Sequence, residues 1–181
     1  MRNLVPIITG DPNSINSEII AKAWKKRSLF RSTDIFLIGN YNLIKKQIKS
    51  IGIKIKINKI KVLNNQNFKK KLFIYDVPLK FKNIFDVSSI EKSKYILKCF
   101  KIAIQLQRKR LVTGLINCPI NKKETFGENF TGITEFIAKK EGVLGREVML
   151  IFNKKLSVSP ITTHIKIKNI SKSISKKRII N

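Results

Sequence analysis

The chain has 181 residues and a formal net charge of +27, with 38 lysines and arginines against 11 aspartates and glutamates. Its length favours one domain or two small ones, and a hydrophobic fraction of 43% excludes wholesale disorder. The longest clear apolar run, 148–152, is far shorter than the roughly 18 residues of a membrane helix. Pro6 and Asp11 interrupt the N-terminal apolar stretch, so we expect a cytoplasmic protein without a signal peptide.

Strands and helices are predicted to alternate along the first half of the chain. Four short apolar segments predict strands: 5–9, 34–38, 53–57 and 72–75. A helix is predicted at 14–27, with Ile19, Ile20 and Ala23 on one side. A second helix is marked by Leu43, Ile44, Ile48 and Ile51 and closed by Gly52. The polar stretch 59–70 is predicted to be a loop.

The second half continues the alternation, beginning with the longest element at about 88–110. Ser88 and Glu91 form a capping-box signature at its start. Its buried face is predicted to carry Ile90, Ile96, Phe100, Ala103 and Ile104. Further strands are predicted at 111–116, 148–152 and 156–162. Further helices are predicted at 132–140 and from Ile167 onward, and a short turn or helix at 119–125. Interleaved strands and helices predict an α/β fold.

The positive charge has two interpretations, nucleic-acid binding or a compositional bias. Lysine, isoleucine and asparagine, which all have AT-rich codons, are enriched together, and the lysines are spread along the chain. The densest lysine stretch, 45–71, contains Phe68 as its only clear stacking platform, and the whole chain has only seven arginines. We therefore expect nonspecific attraction to polyanions at low salt but no specific nucleic-acid partner.

Two segments follow predicted strands and carry polar residues suited to anions. The loop 10–14 either holds an anion or presents a carboxylate at a sheet edge, or it is an Asx turn made by Asp11. The segment 118–123 offers Lys122 and Lys123, which either meet a phosphate or carboxylate or are simply solvated. Cys118 and Cys99 are the only cysteines, and they lack the spacing of a metal site or a disulfide framework.

Two later segments carry the remaining candidate residues. The segment 131–135 begins a predicted helix, where backbone N–H groups and the Thr134 hydroxyl suit an anionic ligand. The alternative is an ordinary N-cap made by Thr131 or Thr134. His164 ends a predicted strand and is the only histidine, so any imidazole chemistry must use it. It has either a structural role or a metal-binding one, and a metal would need ligands from elsewhere.

In this order, the four segments resemble the 4-hydroxythreonine-4-phosphate dehydrogenase family of pyridoxal phosphate biosynthesis. The matching motifs are Ile7-Ile8-Thr9-Gly10-Asp11-Pro12 with Glu18 (a GDP-type loop), Leu115 to Lys123 ("TxPINK"), Phe130 to Phe136 ("GHTE"), and Glu147 to Ile151 with Leu156-Ser157-Val158 and Thr162-Thr163-His164 ("TTH"). The resemblance spans essentially the whole chain and about the first half of the family's length.

The resemblance implies an isocitrate/isopropylmalate dehydrogenase-like α/β fold. Residues 1–181 would form a single α/β unit that matches the N-terminal portion, with the second domain largely absent. It implies oxidation of 4-phosphooxy-L-threonine with NAD or NADP, then decarboxylation to 3-amino-2-oxopropyl phosphate. A divalent metal (Zn, Mg or Co) would assist, and the working form would be a homodimer with its active site near the dimer interface.

By the same resemblance, Thr134 takes a substrate-binding position and His164 a metal-ligand position. The chain departs from the family where Ile133 replaces a substrate-binding histidine and Asn117 replaces a threonine. The other two metal histidines and most of the dinucleotide site belong to the half that is absent, so no cofactor-binding residue is assigned. Two hypotheses follow: an N-terminal portion of the dehydrogenase, or a truncated, inactive remnant that acts as a non-enzymatic basic α/β domain.

Overall fold

The computed structural model describes residues 3–30, 32–63, 66–130, 132–162, 165–176 and 179. The chain divides into two compact units, Met1–Thr125 and Phe126–Asn181.

The first unit is built on a five-stranded parallel sheet. Its strands are β1 (Leu4–Ile8), β2 (Asp34–Gly39), β3 (Ile57–Ile60), β4 (Leu72–Asp76) and β5 (Ile116–Asn117), in the order β3-β4-β2-β1-β5. Every neighbouring pair is parallel. All six residues of β2 are buried, as expected for a central strand covered on both faces. The parallel sheet with helical connections confirms the predicted α/β fold.

Helices cover both faces of this sheet. These helices are α1 (Asn16–Lys25), α2 (Tyr41–Ser50) and α3 (Ser89–Arg108). A 3-10 helix (Arg27–Phe30) and the short helix α4 (Lys122–Phe126) are also present. Residues of α1 and α2, such as Trp24 and Ile44, pack with Ile35 and Leu37 of β2 in one apolar cluster. Among the described residues α3 contacts β1 and β2 without sharing that cluster, so it covers the opposite face. Since strand residues alternate between faces, the buried Phe36 and Ile38 belong to this second layer.

Several local predictions for the first unit were wrong. Of the strand predicted at 111–116, only Ile116 lies in a strand, β5. Ile19 is 42% exposed and Ala23 is exposed as well, because the buried side of α1 runs through Ile20, Ala21 and Trp24. Ile90 is 68% exposed, because it lies in the first turn of α3 and the buried face of that helix begins at Lys92. The strand predicted at 53–57 begins instead at Ile57 and runs into the predicted loop, although its preceding isoleucines still pack against the core.

The second unit contains α5 (Ile133–Lys140), β6 (Ile151–Phe152), β7 (Ser157–Val158), a 3-10 helix (Ile167–Asn169) and α6 (Ile170–Ser173). Phe126, Phe130 and Phe136 form an aromatic cluster with ring centroids 4.8 to 5.8 Å apart. The two strands predicted at 148–152 and 156–162 pair antiparallel, but over two residues each, and their side chains are exposed. No helix in the described part of the chain is both long and apolar enough to cross a membrane.

Both cysteines of the first unit are buried, and their thiols are expected to be unreactive in the folded chain. Burial raises the pKa of Cys99 to about 12 and that of Cys118 to about 11. Because the thiolate is the nucleophile, almost none is present at neutral pH. We expect iodoacetamide at pH 8 to modify neither residue before unfolding and both in concentrated urea, as read by mass spectrometry. Native labelling of Cys118 would instead show that the segment after β5 opens.

Candidate functional site at the carboxyl edge of the sheet

The loop after β1 is held by Asp11 and Asn13. The Asn13 N–H donates to Asp11 Oδ1 at 2.9 Å, which is an Asx turn and confirms that interpretation of the loop. Asn13 Nδ2 donates to the Val87 carbonyl at 2.9 Å, and Asn13 Oδ1 accepts from the Val87 N–H at 2.8 Å. Asn13 thus ties the loop to the residues just before α3.

Gly10 allows this loop to lie directly against the segment that follows β5. It has a positive φ of 72°, and a Cβ there would lie 2.5 Å from both Asn16 Nδ2 and the Pro119 carbonyl oxygen. Pro119 O accepts from the Asp11 N–H at 3.1 Å and from Asn16 Nδ2 at 2.8 Å. The loops after two neighbouring strands, β1 and β5, therefore form one tightly packed edge.

Lys92 of α3 lies between two carboxylates at this edge. The side chain of Lys92 is 10% exposed, and its Nζ lies 2.6 Å from Glu124 Oε2 and 3.6 Å from Asp11 Oδ2. The hydrogen bond to Glu124 raises the pKa of Lys92 despite burial, and Asp11 adds to the effect. The same hydrogen bond lowers the pKa of Glu124. The cluster thus pairs the side chain of Lys92 with those of Glu124 and Asp11.

Glu124 also anchors the start of α4. Its backbone N–H donates to Asn121 Oδ1 at 3.2 Å, and Asn121 Nδ2 donates to Glu124 Oε1 at 3.0 Å. Asn121 therefore acts as the polar cap that begins this short helix. Lys122 and Lys123 are exposed, which agrees with the solvated interpretation of these lysines.

A buried tyrosine links three further elements at the same edge. The Tyr95 hydroxyl lies 2.8 Å from Thr9 Oγ1 and accepts from the Asn40 N–H at 2.8 Å. Asn40 Nδ2 in turn donates to the carbonyl of Val77 at 2.9 Å. Burial raises the pKa of Tyr95 well above its usual value, so the phenol stays protonated. This network fixes the ends of β1, β2 and β4 relative to α3.

Sequence reasoning missed both Lys92 and Tyr95. The missed signal is the helical spacing, since Lys92 lies four residues before Ile96 and eight before Phe100, on the same buried face. A charged residue on an apolar stripe requires a charged partner. That partner could not be named from sequence, because Asp11 and Glu124 are distant along the chain.

The predicted substrate-binding residues lie in the second unit, at the start of α5. Gly132 is the N-cap and makes no side-chain capping hydrogen bond, so Thr134 is not the cap and that interpretation was wrong. Ile133 and Thr134 are half-buried residues of the first turn. Glu135 folds back toward Gly132, and its Oε2 is buried without a hydrogen-bond partner in the described part of the chain.

Thr131, Thr163 and the predicted metal ligand His164 lie outside the described residues. Among the residues that are described, no group of three or more His, Cys, Asp or Glu side chains could hold a metal ion. At the loop edge, the ammonium of Lys92 already fills the space between Asp11 and Glu124. The described residues therefore supply no metal site on their own.

The fold and the packed carboxyl edge together define a parallel α/β protein of the class that places functional residues at strand ends. Residues 31–181 match the profile of the family described as pyridoxal phosphate biosynthetic protein PdxA. Because that match covers most of the chain, the chain belongs to this family.

Curated relatives agree with this assignment, and a solved structure shares the fold. A 4-hydroxythreonine-4-phosphate dehydrogenase from Sulfurihydrogenibium sp. (strain YO3AOP1) is 31% identical over 180 residues, covering 97% of this chain and 54% of the relative. A D-threonate 4-phosphate dehydrogenase from Salmonella typhimurium is 26% identical, and the match covers 97% of this chain and 55% of that relative. The crystal structure of a 4-hydroxythreonine-4-phosphate dehydrogenase from Burkholderia phymatum shares the fold, with a TM-score of 0.85 at 21% identity over 99% of this chain and 55% of that one. The chain thus spans about half the length of the relatives it matches.

Proposed function

We propose that this chain supplies part of an NAD- or NADP-dependent dehydrogenase acting on a phosphorylated four-carbon hydroxy acid. The match of residues 31–181 to the family carries the proposal. Relatives are named for 4-hydroxythreonine 4-phosphate and for D-threonate 4-phosphate, which share a carboxylate, a secondary alcohol and a terminal phosphate. Within this class we favour 4-phosphooxy-L-threonine, oxidised and decarboxylated to 3-amino-2-oxopropyl phosphate.

In this proposal Thr134 and the start of α5 bind an anionic group of the substrate. The first-turn N–H groups of a helix have no intrahelical partner, and the N-cap Gly132 offers no side chain to satisfy them. They and the Thr134 hydroxyl form a set of donors suited to a phosphate or carboxylate. At position 133, where the family has a histidine, the isoleucine side chain supplies no polar contact, so the backbone would take over that role.

Glu135 would add an acceptor to the same site. Its Oε2 is buried without a hydrogen-bond partner among the described residues. A buried oxygen without a partner destabilises the folded chain unless a ligand donates a hydrogen bond to it. The substrate ammonium of 4-phosphooxy-L-threonine would donate to this oxygen. In D-threonate 4-phosphate a hydroxyl stands in place of the ammonium, so the pairing would be weaker.

We further propose His164 as a metal ligand, on its match to the family motif. A catalytic metal needs about three protein ligands, and this chain has one histidine. Likewise Gly10, the glycine of the first loop, is packed against Asn16 and Pro119 and offers no open backbone for a pyrophosphate. We therefore assign no cofactor-binding residue and derive no step through the metal or the nucleotide.

A homodimer is the proposed assembly. Several apolar side chains of the second unit are strongly exposed: Val148, Leu150, Ile151, Phe152 and Leu156. Exposed apolar side chains grouped in one segment are typical of a region that a partner covers.

Replacing Thr134 with valine tests the binding proposal. Loss of one hydrogen bond to an anionic group is expected to weaken 4-phosphooxy-L-threonine binding about tenfold, measured by calorimetry. Thr113→Val, at an exposed position of the first unit, is the matched control and should leave the affinity unchanged. Equal affinity of the Thr134→Val chain and the unmodified chain would remove Thr134 from the site.

A further inference from the structure

A cavity of about 460 Å³ lies in the first unit, at the amino-terminal end of the sheet. Its walls come from the end of α1, the following 3-10 helix, the start of β2 and the loop before β4. Since α1 and β2 both have their other ends at the carboxyl edge, the cavity is separate from the loop site around Asp11. Its volume falls within the range of roughly 300–1,000 Å³ that is usual for small-molecule sites.

The inner wall of the cavity is apolar and well packed. Trp24, Ile35 and Phe68 line it, and all three are buried. The Phe68 ring packs against Phe36 and Phe73, with centroid distances of 5.9 and 5.2 Å. Because these side chains are held by the core, the wall is a fixed part of the fold.

The rim of the cavity is cationic. Lys25, Arg27 and Lys69 line it and are exposed, and no acidic residue is among its described lining residues. The Arg27 guanidinium lies 5.2 Å from the centre of the Trp24 ring, and its Nη1 donates to the Trp24 carbonyl at 3.4 Å. This stacking holds the planar guanidinium at the mouth of the cavity while leaving its other donors available.

We propose that this cavity binds a nucleoside monophosphate. The flat apolar base would contact the wall made by Trp24 and Phe68, and the phosphate would pair with Lys25, Arg27 and Lys69. This site is independent of the proposed dehydrogenase function, since it uses other residues at the opposite end of the sheet.

Titration of the full chain with AMP tests the proposal, because Trp24 is the only tryptophan and lines the cavity. Binding is followed by Trp24 fluorescence and by calorimetry at 150 mM salt, with inorganic phosphate and adenosine as separate probes. We expect saturable AMP binding that is at least about tenfold tighter than binding of either fragment.

Two charge-reversal variants distinguish AMP binding in this cavity from nonspecific attraction to a positively charged chain. Lys69→Glu should weaken AMP binding about tenfold, since it removes a charge-assisted contact and adds a repulsive one. Lys94→Glu changes the net charge equally on the exposed face of α3 and should alter the affinity less than about twofold. Phosphate binding as tight as AMP binding, equal effects of the two reversals, or no saturable binding would each overturn the proposal.

Discussion

Replacing Gly10 with alanine is expected to lower the free energy of unfolding by about 3 kcal/mol. Two effects add, since alanine is strained at a φ of 72° and its Cβ would lie 2.5 Å from the Pro119 carbonyl oxygen. That oxygen belongs to the backbone, so it moves only if the segment after β5 moves with it. The substitution should separate the two loops that form the carboxyl edge.

Gly52→Ala is the matched control for this prediction. Gly52 also has a φ of 72°, but a Cβ there would have no neighbour within 4 Å among the described atoms. It should therefore show only the conformational cost, about 1 kcal/mol. Urea unfolding, followed by Trp24 fluorescence, measures the free energy of unfolding of both variants. Equal losses in the two variants would show that close packing of the loop on Pro119 does not contribute.

Replacing Lys92 with methionine should lower the free energy of unfolding by about 3 kcal/mol at neutral pH. Methionine preserves much of the side-chain volume but removes the ammonium that pairs with Asp11 and Glu124. Asp11 is buried, so its carboxylate would be left without its cationic partner in a poorly solvated position. Lys94→Met, on the exposed side of the same helix, should change the stability by less than about 0.5 kcal/mol.

The effect of Lys92→Met should depend on pH at both extremes. The pKa of Lys92 is raised in the folded chain, so its contribution is complete below the unfolded value of about 10.4 and is lost as pH rises through the folded value. The pKa of Glu124 is lowered, so its contribution is present above about 4.3 and is lost as pH falls through the folded value. The difference between the two chains should be largest between about pH 5 and pH 10. A difference that is constant from pH 3 to pH 11 would contradict the ion-pair account.

Much of the first unit could be predicted from sequence because its signals are local. Apolar runs and turn residues located β1, β2, β4 and the long helix α3. Ser88 Oγ accepts from the Glu91 N–H, which is one of the two hydrogen bonds of the predicted capping box. The lengths of strands β6 and β7 were overestimated. Apolar β-forming residues predict extended structure whether or not a neighbouring strand pairs with each of them.

The site was harder to predict because its contacts join distant segments. The Asx turn at Asp11 is a local feature, and the residues of the loop predict it as one of two possible structures. The ion pairs of Lys92 and the hydrogen bonds of Tyr95 depend on α3 crossing the loops after β1 and β5, which residue spacing alone does not specify. Sequence motifs identified the family because four separate segments carry motifs of that family in the same order.

An assay of NAD-linked oxidation of 4-phosphooxy-L-threonine, with Zn²⁺ or Mg²⁺ present, tests the proposed function most directly. It is run on this chain alone, on this chain with the part of the Sulfurihydrogenibium relative that the match does not cover, and on the same mixture with His164→Ala. One histidine cannot complete a catalytic metal site, so we predict turnover only in the second case. Robust turnover by the chain alone, or equal turnover with and without His164 in the mixture, would contradict the account.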